Sequence, residues 1–150
     1  GKWLAMQHTK VKPDIVTLAK GNASGFPMGA LVAREDLEFK KSEHGSTFAG
    51  GPLACAAALA TIGVIEKILP DVIRKGERFR EGLQKYNPRV RGLMIGMTIG
   101  DKCPEIQKKC AEQGVLVNCA ADGNLRLVPP LTISDAEIDR VVKVINGSLG

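Results

Sequence analysis

Lys20 ends the apolar, β-branched run DIVTLA (residues 14–19) and is followed at once by the small residues GNASG. An amine in that setting can attack a carbonyl, provided that it spends part of its time uncharged, which burial or cationic neighbours achieve by lowering a lysine's pKa. An apolar strand running into a glycine turn holds such an amine at a pocket edge and leaves a ligand room to approach. The bland alternative is a solvated lysine at a strand end. A second candidate is HGST (44–47), which precedes Gly50, Gly51 and Pro52. Ser46 and Thr47 offer hydroxyls, the glycines allow close backbone approach, and the free amides of a helix start favour an anion such as phosphate. The same turn can equally serve as a plain helix cap. A Walker-type nucleotide loop is excluded, because it needs its glycines before the lysine and Ser or Thr directly after it, whereas Gly21 follows Lys20.

The elements that must hold these residues read as α/β. Residues 14–19 form a buried strand and 28–34 a second one after the turn signals Gly25 and Pro27. Proline at the first helical position opens a helix over 53–69, apolar on nearly every side and therefore expected to be buried. A second, amphipathic helix spans 71–86, with Val72, Ile73, Phe79 and Leu83 inward. Beyond Pro88, residues 90–100 read as one strand, 103–114 as a helix closed by Gly114, and 115–120 and 125–131 as strands around the turn ADGN. Ser134 with Glu137 three residues later is a capping box for a last helix. The organisation is three-part: residues 1–70 end one domain, 71–88 are a linking helix, and 89–150 form a small α/β domain.

Composition narrows the function. Of 150 residues, 44% are hydrophobic and 25% charged, the balance of a globular chain with a core. A net charge of +5 raises the question of nucleic acid, but basic residues are scattered among acidic ones and aromatics are only 4%, so no stacking platform exists. The longest uncharged stretch, residues 45–65, is broken by Gly50, Gly51 and Pro52, and its helical part, about 14 residues, falls short of the roughly 20 a bilayer needs. No membrane span and no signal peptide are expected. Cys55, Cys103, Cys110 and Cys119 show neither a CxxC pair nor metal spacing to His8 or His44, so reduced thiols in a cytoplasmic protein, and no metal, are expected.

Four stretches in order, KPDIVTLAKG (12–21), GFPMGALVAR (25–34), HGSTFAGGPLACAAALA (44–60) and LRLVPPLTIS (125–134), resemble the class III (subgroup II) pyridoxal-phosphate aminotransferases. The resemblance implies the C-terminal part of a fold-type I pyridoxal-phosphate transferase: the end of the large domain plus the small domain. It implies transfer of an amino group between an amino donor and a 2-oxo acid, with N-acetylornithine and 2-oxoglutarate, in arginine biosynthesis, as the expected pair. Ornithine, 4-aminobutyrate and lysine-pathway aminotransferases and an aminomutase are the alternatives, and a non-catalytic half of a split enzyme or an interaction domain is the alternative of another class. By the resemblance, Lys20 is catalytic: it would form a Schiff base with pyridoxal 5'-phosphate and then move the substrate proton. Thr47, helped by Ser46, would bind the cofactor phosphate across a homodimer interface, and Arg126 would meet the substrate α-carboxylate. A guanidinium suits that task because its planar fork matches a carboxylate, although arginine is also the usual choice for a structural ion pair. Where the family usually reads GGNP this chain has Ala49, Gly50, Gly51 and Pro52, without the asparagine. The family's glycine-rich phosphate loop, ring-stacking aromatic and ring-nitrogen aspartate are expected before Gly1, so this polypeptide alone is expected to have little or no transaminase activity.

Overall fold

The computed structural model describes residues 1–150. The chain divides into two compact units, Lys2–Lys67 and Ile68–Gly150, with Gly1 joining the second.

In the first unit, β1 (Ile15–Leu18) and β2 (Ala30–Ala33) pair antiparallel, Ile15 opposite Ala33 and Leu18 opposite Ala30. A short 3-10 turn over Lys20–Ala23 leaves β1, and α1 (Pro52–Ile68) follows the glycine-rich loop. The expected burial of β1 and α1 is not observed. β1 alternates exposed and half-buried residues, Ile15 is 51% exposed, and α1 buries only Ala58 while Leu53 and Leu59 stand 68% and 69% exposed. The reason is architectural: a two-stranded ribbon and one helix cannot cover each other's apolar faces. The first unit therefore carries an extensive uncovered apolar surface.

α1 also continues through a 3-10 turn at Leu69–Asp71 into α2 (Val72–Gly82), making a helical run of 31 residues with an 18-residue window of mean hydropathy 1.7. The expectation of a helix too short to span a bilayer is corrected on length and composition. Those criteria are also met by the core helix of a globular protein.

The second unit has a closed core. Its sheet has the order β3–β4–β6–β5, all neighbours antiparallel, with β3 Arg89–Arg91, β4 Met94–Thr98, β5 Asn118–Ala120 and β6 Asn124–Leu127. α2, α3 (Cys103–Glu112) and α4 (Asp135–Leu149) supply the rest of the core, in which Phe79, Leu83, Met97, Leu125, Ile138 and Ile145 are completely buried. Residues 90–100 are thus a hairpin rather than one strand. The two-residue loop between Arg91 and Met94 opens with Gly92 at φ 57°, a position that demands glycine.

α2 is part of this core. Val72, Lys75, Gly76 and Phe79 lie on one helical stripe and are buried, while Ile73 is rotated off that stripe and is 55% exposed, contrary to its expected inward position. The buried Lys75 donates from Nζ to the Leu131 carbonyl at 3.2 Å and faces Asp71 at 3.7 Å, which ties the segment after β6 to α2. Arg74 forks onto Asp71 and Asp135 and Arg78 onto Asp139, joining α2 to α4. α3 ends as expected at Gly114, φ 74°, and the Ser134–Glu137 capping box opens α4. Cys103 and Cys119 form a disulfide, Cα atoms 5.7 Å apart, between the start of α3 and β5; Cys55 and Cys110 are free. The expectation of four reduced thiols fails for this pair, because the fold brings together two cysteines 16 residues apart.

Candidate functional site

Lys20 stands two residues beyond β1 at φ 59°, a left-handed conformation uncommon for any residue but glycine. The turn it starts closes with Ser24, also left-handed, whose amide donates to the Gly21 carbonyl at 3.2 Å. Such a backbone persists only where its surroundings hold it. Here the pairing of Leu18 with Ala30 anchors one end and buried Ala23 the other. The lysine side chain is exposed, not recessed at a pocket edge, because the two-stranded sheet supplies nothing to cover it. No hydrogen bond or ion pair engages it. Two residues on, Asn22 holds the chain's single buried side-chain polar atom without a partner, its Nδ2. An amide donor left unsatisfied costs about 1–3 kcal/mol, so a ligand or neighbouring chain that offers it an acceptor is favoured.

Ser46 and Thr47 are exposed on the loop before α1. Gly50 is at φ 67°, and a Cβ at Gly45 or Gly50 would meet nothing, so the loop leaves an approaching anion open space. The Cys55 amide donates to the Gly51 carbonyl at 3.0 Å, so the helix begins directly after the loop with its first amides free. No hydrogen bond joins Ser46 or Thr47 to Lys20. The donor set, an amine capable of attacking an aldehyde plus hydroxyls and free amides for a phosphate, matches the two chemical handles of pyridoxal phosphate.

Arg126 belongs to the second unit. It is the exposed residue of β6 between buried Leu125 and Leu127, and no hydrogen bond or ion pair engages it. Its guanidinium is therefore available for a carboxylate, and a structural ion pair is not present. The adjoining residues on that sheet face, Arg89 and Gly96, were not singled out by the sequence pattern. The only signal for them is the alternation in RVR, legible once the hairpin is known.

The pattern of the family Aminotransferase class-III matches residues 1–149. The chain is 42% identical to an acetylornithine aminotransferase of Aquifex aeolicus over 150 residues, which are 97% of this chain and 40% of that protein. It is 46% identical to that of Methanosarcina mazei, covering 97% and 39%. The chain thus spans about 40% of the length of the curated relatives it matches. Among solved structures, it superposes on an acetylornithine aminotransferase from Elizabethkingia anophelis with TM-score 0.89 at 31% identity, covering 99% of this chain and 43% of that one. On the ornithine aminotransferase from Toxoplasma gondii the TM-score is 0.90 at 32% identity, covering 99% and 39%.

Proposed function

The chain belongs to the class III aminotransferases, and on that premise we propose that it is part of an enzyme that moves an amino group from N-acetylornithine to 2-oxoglutarate, in arginine biosynthesis, with pyridoxal 5'-phosphate as cofactor. The observation that carries this reading is the match itself, which runs through residues 1–149 and takes in Lys20, Thr47 and Arg126. Relatives at 42–46% identity bearing the name acetylornithine aminotransferase support the substrate pair.

Pyridoxal phosphate, when bound, supplies the electron sink that makes a substrate α-carbon acidic. The protein's share is binding, orientation and proton movement. Lys20 would hold the cofactor through its Nζ and, once that amine is free, would take and return the proton at the α-carbon. Thr47 and Ser46 would donate to the phosphate together with the amides that open α1. Arg126 would fix the substrate carboxylate through two parallel hydrogen bonds. The proposal includes a homodimer in which Thr47 serves the partner's site, and no nucleic-acid or membrane partner. The uncovered apolar residues of α1 support association, since patches of that kind mark interfaces.

A cytoplasmic setting belongs to the same proposal. Cell fractionation tests it: recovery of the protein in the cytosolic fraction agrees, and recovery in a membrane or extracytoplasmic fraction contradicts.

In the holoenzyme, Lys20→Ala should abolish both the cofactor's visible absorbance and turnover, and retained catalysis would refute the assignment. Ornithine is the second reading, favoured by the superposition on the Toxoplasma gondii enzyme. Comparing kcat/KM for N-acetylornithine and ornithine decides between them.

A further inference from the structure

The disulfide between Cys103 and Cys119 has its two ends in unlike settings. Cys103 is the first residue of α3 and is completely buried. Cys119 is the middle residue of β5 and is half-buried. β5 is an edge strand of three residues that pairs with β6 alone: Asn118 lies opposite Arg126, Cys119 opposite Leu125 and Ala120 opposite Asn124. Side chains alternate across a strand, so Cys119 faces the core with buried Leu125, while Asn118 stands beside Arg126 on the outer face.

The backbone ties of this segment to the rest of the unit lie beyond the strand's ends. The Val115 amide donates to the Cys110 carbonyl at 2.9 Å, and the Ile99 amide donates to the Gly123 carbonyl at 2.9 Å. Between those points β5 is held by the β6 ladder, by the packing of Val117 and Cys119 on the core, and by the Cys103–Cys119 bond. A short edge strand is among the parts of a fold that open most readily, so a covalent tie there strongly affects local order. The other cysteines take no part in the bond. Cys110 lies two turns further along α3, buried, with its Sγ 3.8 Å from Ser148 Oγ, and Cys55 belongs to α1.

We propose that Cys103 and Cys119 are a thiol–disulfide exchange site for a small cellular monothiol of the glutathione kind, and that the intact bond holds β5 against β6 and so keeps Arg126 in place. Cys119 is the sulfur that a thiolate can approach, since Cys103 is completely buried. Attack on Cys119 Sγ forms a mixed disulfide, breaks the Cys103–Cys119 bond and releases Cys103 as a thiolate, which takes up a proton. Its place at the start of a ten-residue helix favours the charge it carries as it leaves. A second monothiol then attacks the small-molecule sulfur of the mixed disulfide and frees Cys119, which takes up the second proton. Two electrons and two protons pass to the chain, and two monothiols become one disulfide; the reverse reaction restores the bond. In the cytoplasmic setting proposed above, disulfides are usually of this exchanging kind. The inference rests on the carboxylate-binding role given to Arg126. With the bond broken β5 frays, and a guanidinium without its flanking strand holds a carboxylate through one hydrogen bond rather than two.

The test equilibrates the holoenzyme in glutathione buffers of stepped reduced-to-oxidised ratio, desalts it, and divides each sample between alkylation with peptide mass mapping and a kinetic assay. Cys103 and Cys119 should pass together from bond to thiols within the series. Across the same transition KM for 2-oxoglutarate and for N-acetylornithine should rise about tenfold, the worth of one charge-assisted hydrogen bond, with kcat changing much less. A purely structural bond would lower the amount of active enzyme, and so kcat, instead. Cys119→Val should show the high KM at every ratio, and Cys103→Ala reaches the same state if that variant does not fold. A bond that survives every ratio, or thiols that never pair, would overturn the exchange site, and a redox transition with KM unmoved would overturn its link to Arg126. Either result leaves the proposed function standing where Arg126→Gln still raises KM for both substrates. An unchanged KM in Arg126→Gln would overturn the carboxylate role of Arg126 and this inference together.

Discussion

Replacing Gly76 by alanine sets two effects of opposite sign against each other. Helix propensity alone favours alanine by about 1 kcal/mol in a helix interior. The packing of α2 on the β3–β4 hairpin opposes it. A Cβ at Gly76 would lie 2.3 Å from the Gly92 carbonyl oxygen, 3.0 Å from its carbon and 3.3 Å from Val90 Cγ1. An ordinary carbon–oxygen contact is about 3.3–3.6 Å, so helix and hairpin must part by about 1 Å. Neither side yields cheaply, because the obstacle is backbone and Gly92 is already held at φ 57° by the tight loop. Parting them loosens Val72 and Leu93, each 4% exposed. Overpacking of this kind costs about 1–3 kcal/mol, and with backbone as the obstacle we take the upper end. Less the propensity gain, the net loss is about 2 kcal/mol, or a Tm lower by about 8–16 °C for a unit of this size. Thermal denaturation followed by the near-ultraviolet signal of Tyr86, the only tyrosine, reads it within the second unit. An unchanged or higher Tm would refute the close approach of α2 to the hairpin.

Other parts of the structure make independent predictions. Iodoacetamide added to unfolded, unreduced chain should label Cys55 and Cys110 only, and prior reduction should expose Cys103 and Cys119. Replacing both of the latter by serine should cost about 3 kcal/mol for a loop of this length, read from the urea midpoint. Hydrogen bonds from Arg74 hold Asp71 and Asp135, and those from Arg78 hold Asp139, below the usual carboxylate range. A depressed folded-state pKa contributes stability that is present above the unfolded value of about 4 and is lost as pH falls through the folded one. The urea midpoint should therefore hold between about pH 7 and 5 and fall below about 4, and Arg74→Gln with Arg78→Gln should flatten that fall. Ser134→Ala removes the cap of α4 and should cost about 1 kcal/mol by the same assay.

Local chemistry was legible in the sequence where it acts locally. Glycine and proline marked the loop before α1 and the end of α3, and Ser134 with Glu137 announced α4 correctly. The hairpin at 89–98 was hidden because Gly92 interrupts an alternation that both arms continue. The exposure of β1 and α1 is not legible for another reason: apolarity says that a surface is to be covered, not whether its cover lies in the same unit. Ile73 failed on phase alone, one residue away from the buried stripe of α2. The Cys103–Cys119 bond depends on two elements meeting in space, which spacing cannot reveal. Lys20, Thr47 and Arg126 could be picked out because motifs carry them. Arg89 could not, since its place beside Arg126 exists only through the register of β4 between their strands.

The central claim is that Lys20 is the residue that holds the cofactor. The most direct measurement is borohydride reduction of the pyridoxal-phosphate-loaded holoenzyme followed by peptide mass analysis. One phosphopyridoxyl group per chain is expected, on the peptide containing TLAKG and at Lys20. A single label on any other lysine, with Lys20 unmodified, would contradict it.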